Sequence, residues 1–188
     1  VGAAIYLTEY ASNKKLVGMI EYASETLSGI PSIVYGLFGM LIFVVACGWN
    51  YSLLSGALTL AIMVLPVIMR TTEEALIAVP DAYREGSFGL GAGRLRTVFR
   101  IILPAAMPGI LSGIILSVGR ITGETAALIF TAGSGTKAAT NLLSSARTLS
   151  VHMYCLLNEG LYVEKAYATG VVLIILVVLI NMLSSALA

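Results

Sequence analysis

Long stretches without a charged residue are the feature that most limits how this chain can fold. No Asp, Glu, Lys or Arg occurs in residues 26–69, 101–119 or 166–188. A hydrocarbon core about 30 Å thick is crossed by about 20 apolar residues in a helix, so each stretch suffices for one crossing and the first suffices for two. The sequence therefore predicts an all-α fold, a polytopic bundle of transmembrane helices.

The composition supports this class, because 58% of the residues are hydrophobic and only 11% are charged. It excludes a secreted disulfide scaffold, a disordered tail and a soluble enzyme domain. A net charge of +1 gives no electrostatic footprint for nucleic acid. Cys47 and Cys155 form no pattern typical of a disulfide framework or a metal site, so we expect no metal and leave their pairing open.

Four membrane spans are predicted, at residues 31–49, 52–69, 105–130 and 166–188. Between them, residues 70–100 hold five arginines and four acids, and residues 131–165 are rich in Gly, Ser, Thr and Asn. Residues 16–27 have apolar residues at helical spacing and predict an interfacial helix. We interpret residues 1–188 as a single transmembrane domain. Because the chain opens on Val1, we expect it to lack its N-terminal helices.

Basic residues set the orientation, because Lys and Arg in short loops stay on the cytoplasmic side. Seven of them share the side of residues 70–105, and three lie on the other side. The seven are Lys14, Lys15, Arg70, Arg84, Arg94, Arg96 and Arg100, and the three are Lys137, Arg147 and Lys165. We therefore expect residues 70–105 to form a cytoplasmic loop and residues 131–165 an external loop.

The cytoplasmic loop has the pattern of a docking element. Residues 82–88 and 94–102 predict two short helices, and the glycines at positions 89, 91 and 93 predict a flexible corner between them. We expect the second helix to end at Pro104. The surface of this knob, residues 81–102, is expected to carry Arg84, Glu85 and Arg94, which would steer it into a charged groove on another protein.

Neither glycine-rich stretch predicts a nucleotide site. No strand precedes residues 89–93, and residues 133–137 lack the spacing of a phosphate-binding loop and are expected outside the cell. His152 has no carboxylate spaced to support a catalytic or ligand role. We therefore expect no enzymatic activity in this chain, and no ATP hydrolysis.

Arg120 and Glu124 are charged residues inside a predicted span. Inserting each costs about 2.5–3.5 kcal/mol on translocon scales, so each needs a partner or water. Four residues apart, they would share a helix face and could form a structural salt bridge, with the hydroxyls of Thr122 and Thr125 close by. The alternative is an anion site, because a guanidinium offers a phosphate-like oxyanion a planar fork of donors. Close approach of another helix is predicted by four glycines: Gly109, Gly113, Gly119 and Gly123.

The loop also carries a family motif, E-x5-G-x9-I-x-L-P, formed by Glu85, Gly91, Ile101, Leu103 and Pro104. This motif resembles the cytoplasmic loop motif of bacterial ABC importer permeases, the element that docks onto the ATP-binding subunit. The two residues after the glutamate, Gly and Ser, stand where that family often has two alanines. The resemblance implies an ATPase-docking role for the motif residues and the adjacent Arg84.

Three further strings are similar to the phosphate-specific ABC transporter permeases, A type: GRITGETA at residues 119–126, LIFTA at 128–132 and GIPSIVYGLFG at 29–39. In that family the matching Arg and Glu are associated with phosphate passage. The resemblance implies a substrate path along Arg120, Thr122, Glu124 and Thr125. It also implies an ATPase dimer that binds ATP and Mg, a second homologous permease and an external phosphate-binding protein as partners.

The sequence therefore predicts the permease subunit of an ATP-driven phosphate importer in a bacterial or archaeal cytoplasmic membrane, working by alternating access. Two alternatives stay open at this point. One is a permease for another oxyanion, such as sulfate or molybdate, because an arginine binds any of these tetrahedral anions. The other is a channel or secondary transporter that works without ATP.

Overall fold

Helices make up most of the described chain. The computed structural model describes residues 1–160 and 162–187, and no strand occurs among them. The α-helices in this part of the chain are α1 Gly2–Ile5, α2 Lys14–Ser28, α3 Ser32–Gly39, α4 Leu53–Ile77, α5 Asp81–Gly89, α6 Arg94–Thr97, α7 Leu103–Thr122, α8 Ala126–Thr131, α9 Leu149–Glu159 and α10 Val163–Leu187. Wider π-helical turns continue α1, α3 and α6 at Tyr6–Tyr10, Met40–Ala46 and Val98–Ile102. The predicted all-α class is confirmed.

Three of the described helices are long and apolar enough to cross a membrane: Leu53–Ile77, Arg94–Thr122 and Val163–Leu183. The second runs through α6, its π-turn and α7 without a break. A fourth crossing is reached if α2 and the helix Ser32–Ala46, which meet at 100°, are counted together. The chain is a multi-pass membrane protein, as predicted.

The first predicted span, residues 31–49, is shorter in the structure. Its helix covers Ser32–Ala46, with Pro31 at the N-cap. The helix stops just before Gly48, which takes a φ of 68°, a conformation that favours glycine. On its own this helix is shorter than the roughly 20 residues needed to cross a hydrocarbon core.

Helix α4 continues past the predicted end of the second span at residue 69. Beyond that point Arg70 places its Nε 3.0 Å from Oε1 of Glu74, one turn further on, and its Nη1 3.3 Å from Oε1 of Glu25 in α2. Ion pairs one turn apart favour the helical conformation in a polar segment. The loop after α4 therefore starts at residue 78 and not at residue 70.

Both helices predicted in this loop are present. The first is α5, and the second begins with α6 at Arg94. The prediction that the second helix ends at Pro104 is wrong, because the helix continues into α7. The π-turn Val98–Ile102 ends two residues before the proline, and such a turn rearranges backbone hydrogen bonds where proline lacks its N–H donor.

The second half of the chain departs from the predicted boundaries in three places. The third predicted span, residues 105–130, is divided into α7 and α8. The polar segment of residues 131–165 contains α9, which its composition did not predict and which is capped by Thr148 Oγ1 accepting from the Val151 N–H at 3.4 Å. Helix α10 begins at Val163, a few residues before the predicted start of the last span.

Two buried apolar clusters lie along α4 and support the two regions of interest. The first joins α3, α4, α8 and α9 and consists of Tyr35, Leu60, Met63, Val64, Ala127, Leu128, Ala132 and Val151. The second joins α1, the end of α4, the π-turn after α6 and α7, and consists of Ile5, Leu76, Val79, Val98, Ile102, Ala106 and Ile110. The first cluster lies beside the gap between α7 and α8, and the second lies under the knob.

Glycines let these helices approach each other closely. A Cβ atom at Gly36 would lie 2.8 Å from the Ala127 Cα, and one at Gly109 would lie 2.8 Å from a side-chain carbon of α4. At Gly113 a Cβ atom would collide with Thr71 of α4. The close packing predicted for the glycines of α7 is confirmed at Gly109 and Gly113.

Replacing Gly36 by alanine is expected to lower the free energy of unfolding by about 1–3 kcal/mol, the usual cost of overpacking. The new methyl group would meet backbone atoms of α8, which cannot move aside as a flexible side chain can. The midpoint of thermal unfolding in detergent measures the loss. Gly18→Ala is the matched control, because nothing lies within 4 Å of a Cβ atom there. Equal midpoints for the two variants would contradict the prediction.

Candidate functional sites

The gap between α7 and α8 is the first candidate site. Helix α7 ends at Thr122, and Gly123 forms its C-cap. Arg120 is in the last turn of α7 whereas Glu124 lies beyond its end, so the prediction that the two share one helix face is wrong. The cause is local, because the chain tightens after the glycine and the Glu124 N–H bonds to the Ile121 carbonyl at 3.1 Å.

The Glu124 side chain serves the start of α8. Its Oε1 accepts a hydrogen bond of 3.2 Å from the Ala127 N–H, which gives a partner to one of the free N–H groups at the helix N-terminus. Ser150 of α9 holds the same residue, because its Oγ donates to the Glu124 carbonyl oxygen at 2.7 Å. Among the described residues, Glu124 and Arg120 do not form the ion pair that their spacing suggested.

The Arg120 guanidinium is available to another group. The residue is exposed, and no carboxylate in the described part of the chain forms an ion pair with it. In a membrane helix a charged side chain has to face protein or a water-filled path, because lipid offers it no partner. Irregular backbone such as residues 123–125 is tolerated inside a membrane under the same condition. Arg120 can therefore meet an anion at this gap.

The two threonines of the predicted path use their hydroxyl hydrogens on nearby backbone. Thr122 Oγ1 donates to the Val118 carbonyl at 2.8 Å, and Thr125 Oγ1 donates to the Gly123 carbonyl at 3.4 Å. Each hydroxyl oxygen keeps a lone pair, so each can still accept a hydrogen bond. Of the four residues predicted to line the path, Arg120 is thus the donor, while the threonines and Glu124 offer acceptor oxygens.

The knob is the second candidate site. Its corner turns at Gly91, which takes a φ of 81°. The Ala92 N–H donates to the Ser87 carbonyl at 3.1 Å, and the buried hydroxyls of Ser87 and Thr97 bond to each other at 2.8 Å. These bonds link α5 to α6 across the corner, so the knob is a closed two-helix unit.

Exposed apolar side chains cover the outer surface of the knob. Leu90 is 91% exposed and Leu95 is 65% exposed, and Phe88 is about half exposed. Glu85, which lies in α5 with Phe88, is also exposed. An apolar patch rimmed by charges is typical of a protein-docking surface. These apolar residues were not predicted, although leucines on both sides of a glycine corner in a charged loop were a readable signal.

The remaining motif residues support the knob from beneath. Ile101 is half-buried and lines a cavity of about 280 Å³ together with Gly91 and two arginines. Leu103 packs against the second apolar cluster, while Pro104 is exposed at the start of α7. Ile101 and Leu103 therefore determine how the knob joins α7 rather than form its outer surface.

Arg84 does not lie on the exposed surface of the knob, contrary to the prediction. Its side chain is only 17% exposed, and its Nη2 lies 2.7 Å from Oε1 of Glu9 in the π-turn after α1. The hydrogen bond that the guanidinium donates to the Glu9 carboxylate raises the pKa of Arg84 above its ordinary value, so the side chain stays charged. Glu85 and Arg94 are exposed as predicted and are available for charge steering.

Other polar residues have local partners. His152 lies beside Arg147, with 3.2 Å between Nδ1 and Nη1. No group of His, Cys, Asp and Glu in residues 1–160 and 162–187 is arranged to hold a metal ion. Cys47 and Cys155 are free thiols.

Comparison with known proteins matches the whole chain to one family. The model of the family described as "Binding-protein-dependent transport system inner membrane component" covers residues 1–188. The probable ABC transporter permease protein YqgI of Bacillus subtilis is 39% identical over 97% of this chain and 67% of its own length. The phosphate transport system permease protein PstA of Mycobacterium leprae is 34% identical, over 97% of this chain and 61% of its own length. PstA 1 of Mycobacterium tuberculosis is 41% identical over 69% of this chain and 42% of its own length.

The chain thus spans about 42% to 67% of the length of these curated relatives. Among solved structures, a chain of the MetNI methionine ABC transporter in an inward-facing conformation superposes with a TM-score of 0.80. The superposition covers 99% of this chain and 82% of that chain at 21% identity, so it concerns the fold. The relatives are named as permeases rather than enzymes, and the family match leaves no part of the chain out. The chain belongs to the family of binding-protein-dependent transport system inner membrane components.

Proposed function

We propose that this chain is the membrane permease subunit of an ATP-driven importer of inorganic phosphate, located in the cytoplasmic membrane of a bacterium or archaeon. The observation that carries the proposal is the Arg120 guanidinium, which lies at the gap between α7 and α8 and has no ion-pair partner among the described residues. A guanidinium binds a tetrahedral oxyanion through paired N–H···O bonds and keeps its charge at physiological pH.

The acceptor oxygens that follow Arg120 along the chain favour phosphate over sulfate or molybdate. Inorganic phosphate at neutral pH carries O–H groups that donate hydrogen bonds, whereas sulfate and molybdate carry none. Thr122, Thr125 and Glu124 offer oxygens that can accept such bonds. Relatives over most of this chain are named as phosphate transport system permeases, which supports the same substrate.

The proposed partners follow from the two sites. The knob, in the segment of residues 70–105 that we place on the cytoplasmic side, would dock onto a dimer of ATPase subunits that bind ATP and Mg²⁺, so this chain would need no cofactor of its own. Glu85 and Leu90 would contact the ATPase. A second homologous permease would complete the path, and an external phosphate-binding protein would dock on residues 131–165. Residues 1–188 would form a single transmembrane domain.

Alternating access would use the long helix between the two sites. The knob and the Arg120 gap lie at opposite ends of the continuous helix Arg94–Thr122. A displacement of the knob by the closing ATPase would therefore move the end of α7 that carries Arg120. The path would open to the outside in one position of this helix and to the cytoplasm in the other.

Reconstitution tests the proposal. The full-length subunit, the second permease and the ATPase are placed in proteoliposomes with the external binding protein and ATP on the ATPase side. We expect uptake of labelled phosphate that depends on ATP and that excess sulfate or molybdate does not inhibit. Inhibition by sulfate would favour a permease for another oxyanion. Phosphate uptake without ATP would indicate a channel or a secondary transporter.

A further inference from the structure

A buried ion pair joins the knob to the first helical segment of the chain. The guanidinium of Arg84 in α5 donates to Oε1 of Glu9 from Nη2 at 2.7 Å and from Nε at 3.3 Å. The two side chains are 17% and 9% exposed. A buried pair of this kind resists separation, because either partner alone would be left as an uncompensated charge.

The same guanidinium also binds the end of α4 and the start of α5. Nη2 donates to the Leu76 carbonyl at 3.0 Å, and Nη1 donates to the Val79 carbonyl at 2.9 Å. Nη1 also reaches Oδ1 of Asp81 at 3.1 Å, although that carboxylate is 85% exposed. Because a guanidinium is a rigid planar fork, these bonds set the relative positions of α4, α5 and the π-turn Tyr6–Tyr10.

The second helix of the knob also contacts the first helical segment, at Tyr10, the residue that follows Glu9. The Arg94 guanidinium carbon lies 5.6 Å from the ring centroid of Tyr10, which is a cation–π contact. The Tyr10 side chain packs against the second apolar cluster, which includes Val98 and Ile102. Two neighbouring residues of the π-turn are thus held by arginines from both helices of the knob. The clasp is defined as Glu9, Tyr10, Arg84 and Arg94.

We propose that Arg84 is a positioning residue that, through the clasp, makes the knob and residues 2–10 move as one rigid body. This inference rests on the proposed function, in which an ATPase displaces the knob. After residue 10 the chain turns into α2, so only noncovalent contacts connect residues 2–10 to the knob. Displacement of the knob then reaches the membrane along the helix Arg94–Thr122 and also across the clasp into α1.

The hydrogen bonds of the Arg84 guanidinium suit a role in transmitting motion. Apolar contacts between packed helices permit small sliding motions. A guanidinium bound to the Glu9 carboxylate and to the carbonyls of Leu76 and Val79 permits few orientations, because each hydrogen bond weakens steeply when its angle changes. The clasp therefore adds a stiff connection to the apolar cluster that lies beneath it.

Distances between spin labels test the proposal in a complex whose clasp is unchanged. Cys47 and Cys155 are first replaced by serine, and labels are attached after Tyr6→Cys and Tyr83→Cys, where the native side chains are 60% and 53% exposed. We expect this distance to be the same in the nucleotide-free and ATP-trapped states. A reference distance, from Tyr83→Cys to Leu142→Cys in the second polar segment, is expected to change.

The two distances test separately whether the clasp transmits motion and whether the proposed function holds. If the distance between positions 6 and 83 changes as much as the reference distance, the clasp does not transmit motion and the inference fails while the proposed function stands. If neither distance changes when ATP is trapped, the knob does not move, and both proposals fail.

Variants of the clasp give a second, independent readout. We expect Glu9→Gln to lower the number of phosphate ions taken up per ATP hydrolysed by roughly two- to thirtyfold, the range of effects that mutations in packed coupling networks produce. Glutamine matches glutamate in size but carries no charge. Asp81→Asn is the matched control, because it removes a carboxylate from the same guanidinium and leaves the link to residues 2–10 in place.

The ratio distinguishes positioning from a merely structural role. A structural role would lower the amount of assembled complex and leave uptake per ATP unchanged. A wild-type ratio in Glu9→Gln, or an equal fall in Asp81→Asn, therefore overturns the inference. If Glu9→Gln yields too little complex to measure, the label distances decide the question, because they are recorded with all clasp residues intact.

Discussion

Arg120→Gln is expected to reduce ATP-driven phosphate uptake by about a hundredfold, the typical loss when one preorganised donor is removed from an anion site. Glutamine keeps a polar side chain but has neither the positive charge nor the paired donors of the guanidinium. Because Arg120 holds no ion pair among the described residues, the variant complex should assemble at the wild-type level. Uptake is measured in proteoliposomes and divided by the amount of co-purified ATPase.

Two further variants show whether the effect belongs to the site. Arg120→Lys keeps the charge but loses the planar fork, so we expect an intermediate loss of uptake. Lys14→Gln removes an exposed positive charge from the start of α2, which belongs to neither candidate site, and is expected to transport as the wild type does. Wild-type uptake by Arg120→Gln would refute the role of Arg120 in the anion path.

Leu90→Asp is expected to weaken ATPase binding by about thirtyfold or more, because losing a central apolar contact of an interface costs about 2 kcal/mol or more. Leu90 is 91% exposed in this chain, so the substitution removes little packing from the fold itself. The dissociation constant is measured by titrating the detergent-solubilised permease pair with the purified ATPase. Phosphate uptake should fall in parallel, because an undocked ATPase cannot move the knob.

The control for Leu90 is another exposed leucine. Leu142→Asp changes a side chain that is 66% exposed in the second polar segment, and it should leave ATPase affinity unchanged. Glu85→Lys tests whether the exposed charge of Glu85 in α5 is also part of the docking surface. We expect a smaller loss of affinity that depends on salt, because exposed charges are screened by ions. Unaltered ATPase binding in Leu90→Asp would remove the knob as the docking surface.

The two predictions test the two candidate sites and should give different patterns. Arg120→Gln is expected to lose uptake and keep ATPase affinity, whereas Leu90→Asp is expected to lose both. If both variants lost ATPase affinity, the Arg120 gap would contribute to assembly and not only to transport. The pair of measurements therefore separates the substrate path from the docking surface.

Local patterns in the sequence were enough to predict the all-α membrane class and the two helices of the knob. The length of an uncharged stretch and the spacing of glycines act on neighbouring residues, so they can be recognised without a three-dimensional structure. Asp81–Gly89 and the start of α6 at Arg94 confirm this for the knob. The family motif likewise rests on residues close together along the chain.

The predicted helix boundaries were wrong where the backbone departs from what a single proline or glycine usually does. Proline was expected to end the second knob helix, but a π-turn carries the helix past Pro104. Glycine was expected to serve close packing at position 123, but it ends α7 there and separates Arg120 from Glu124. A residue type indicates a tendency, and the neighbouring turns decide whether it is realised.

The sequence by itself determined which stretches are apolar enough for a membrane and where the knob begins, because burial in a hydrocarbon core depends on the length and polarity of a contiguous stretch. Only the tertiary structure decided which partners the charged side chains meet. Arg84 was expected on the surface, yet it is buried against Glu9, 75 residues earlier in the chain. An ion pair forms between groups that the fold brings together in space, and no spacing along the chain encodes that proximity.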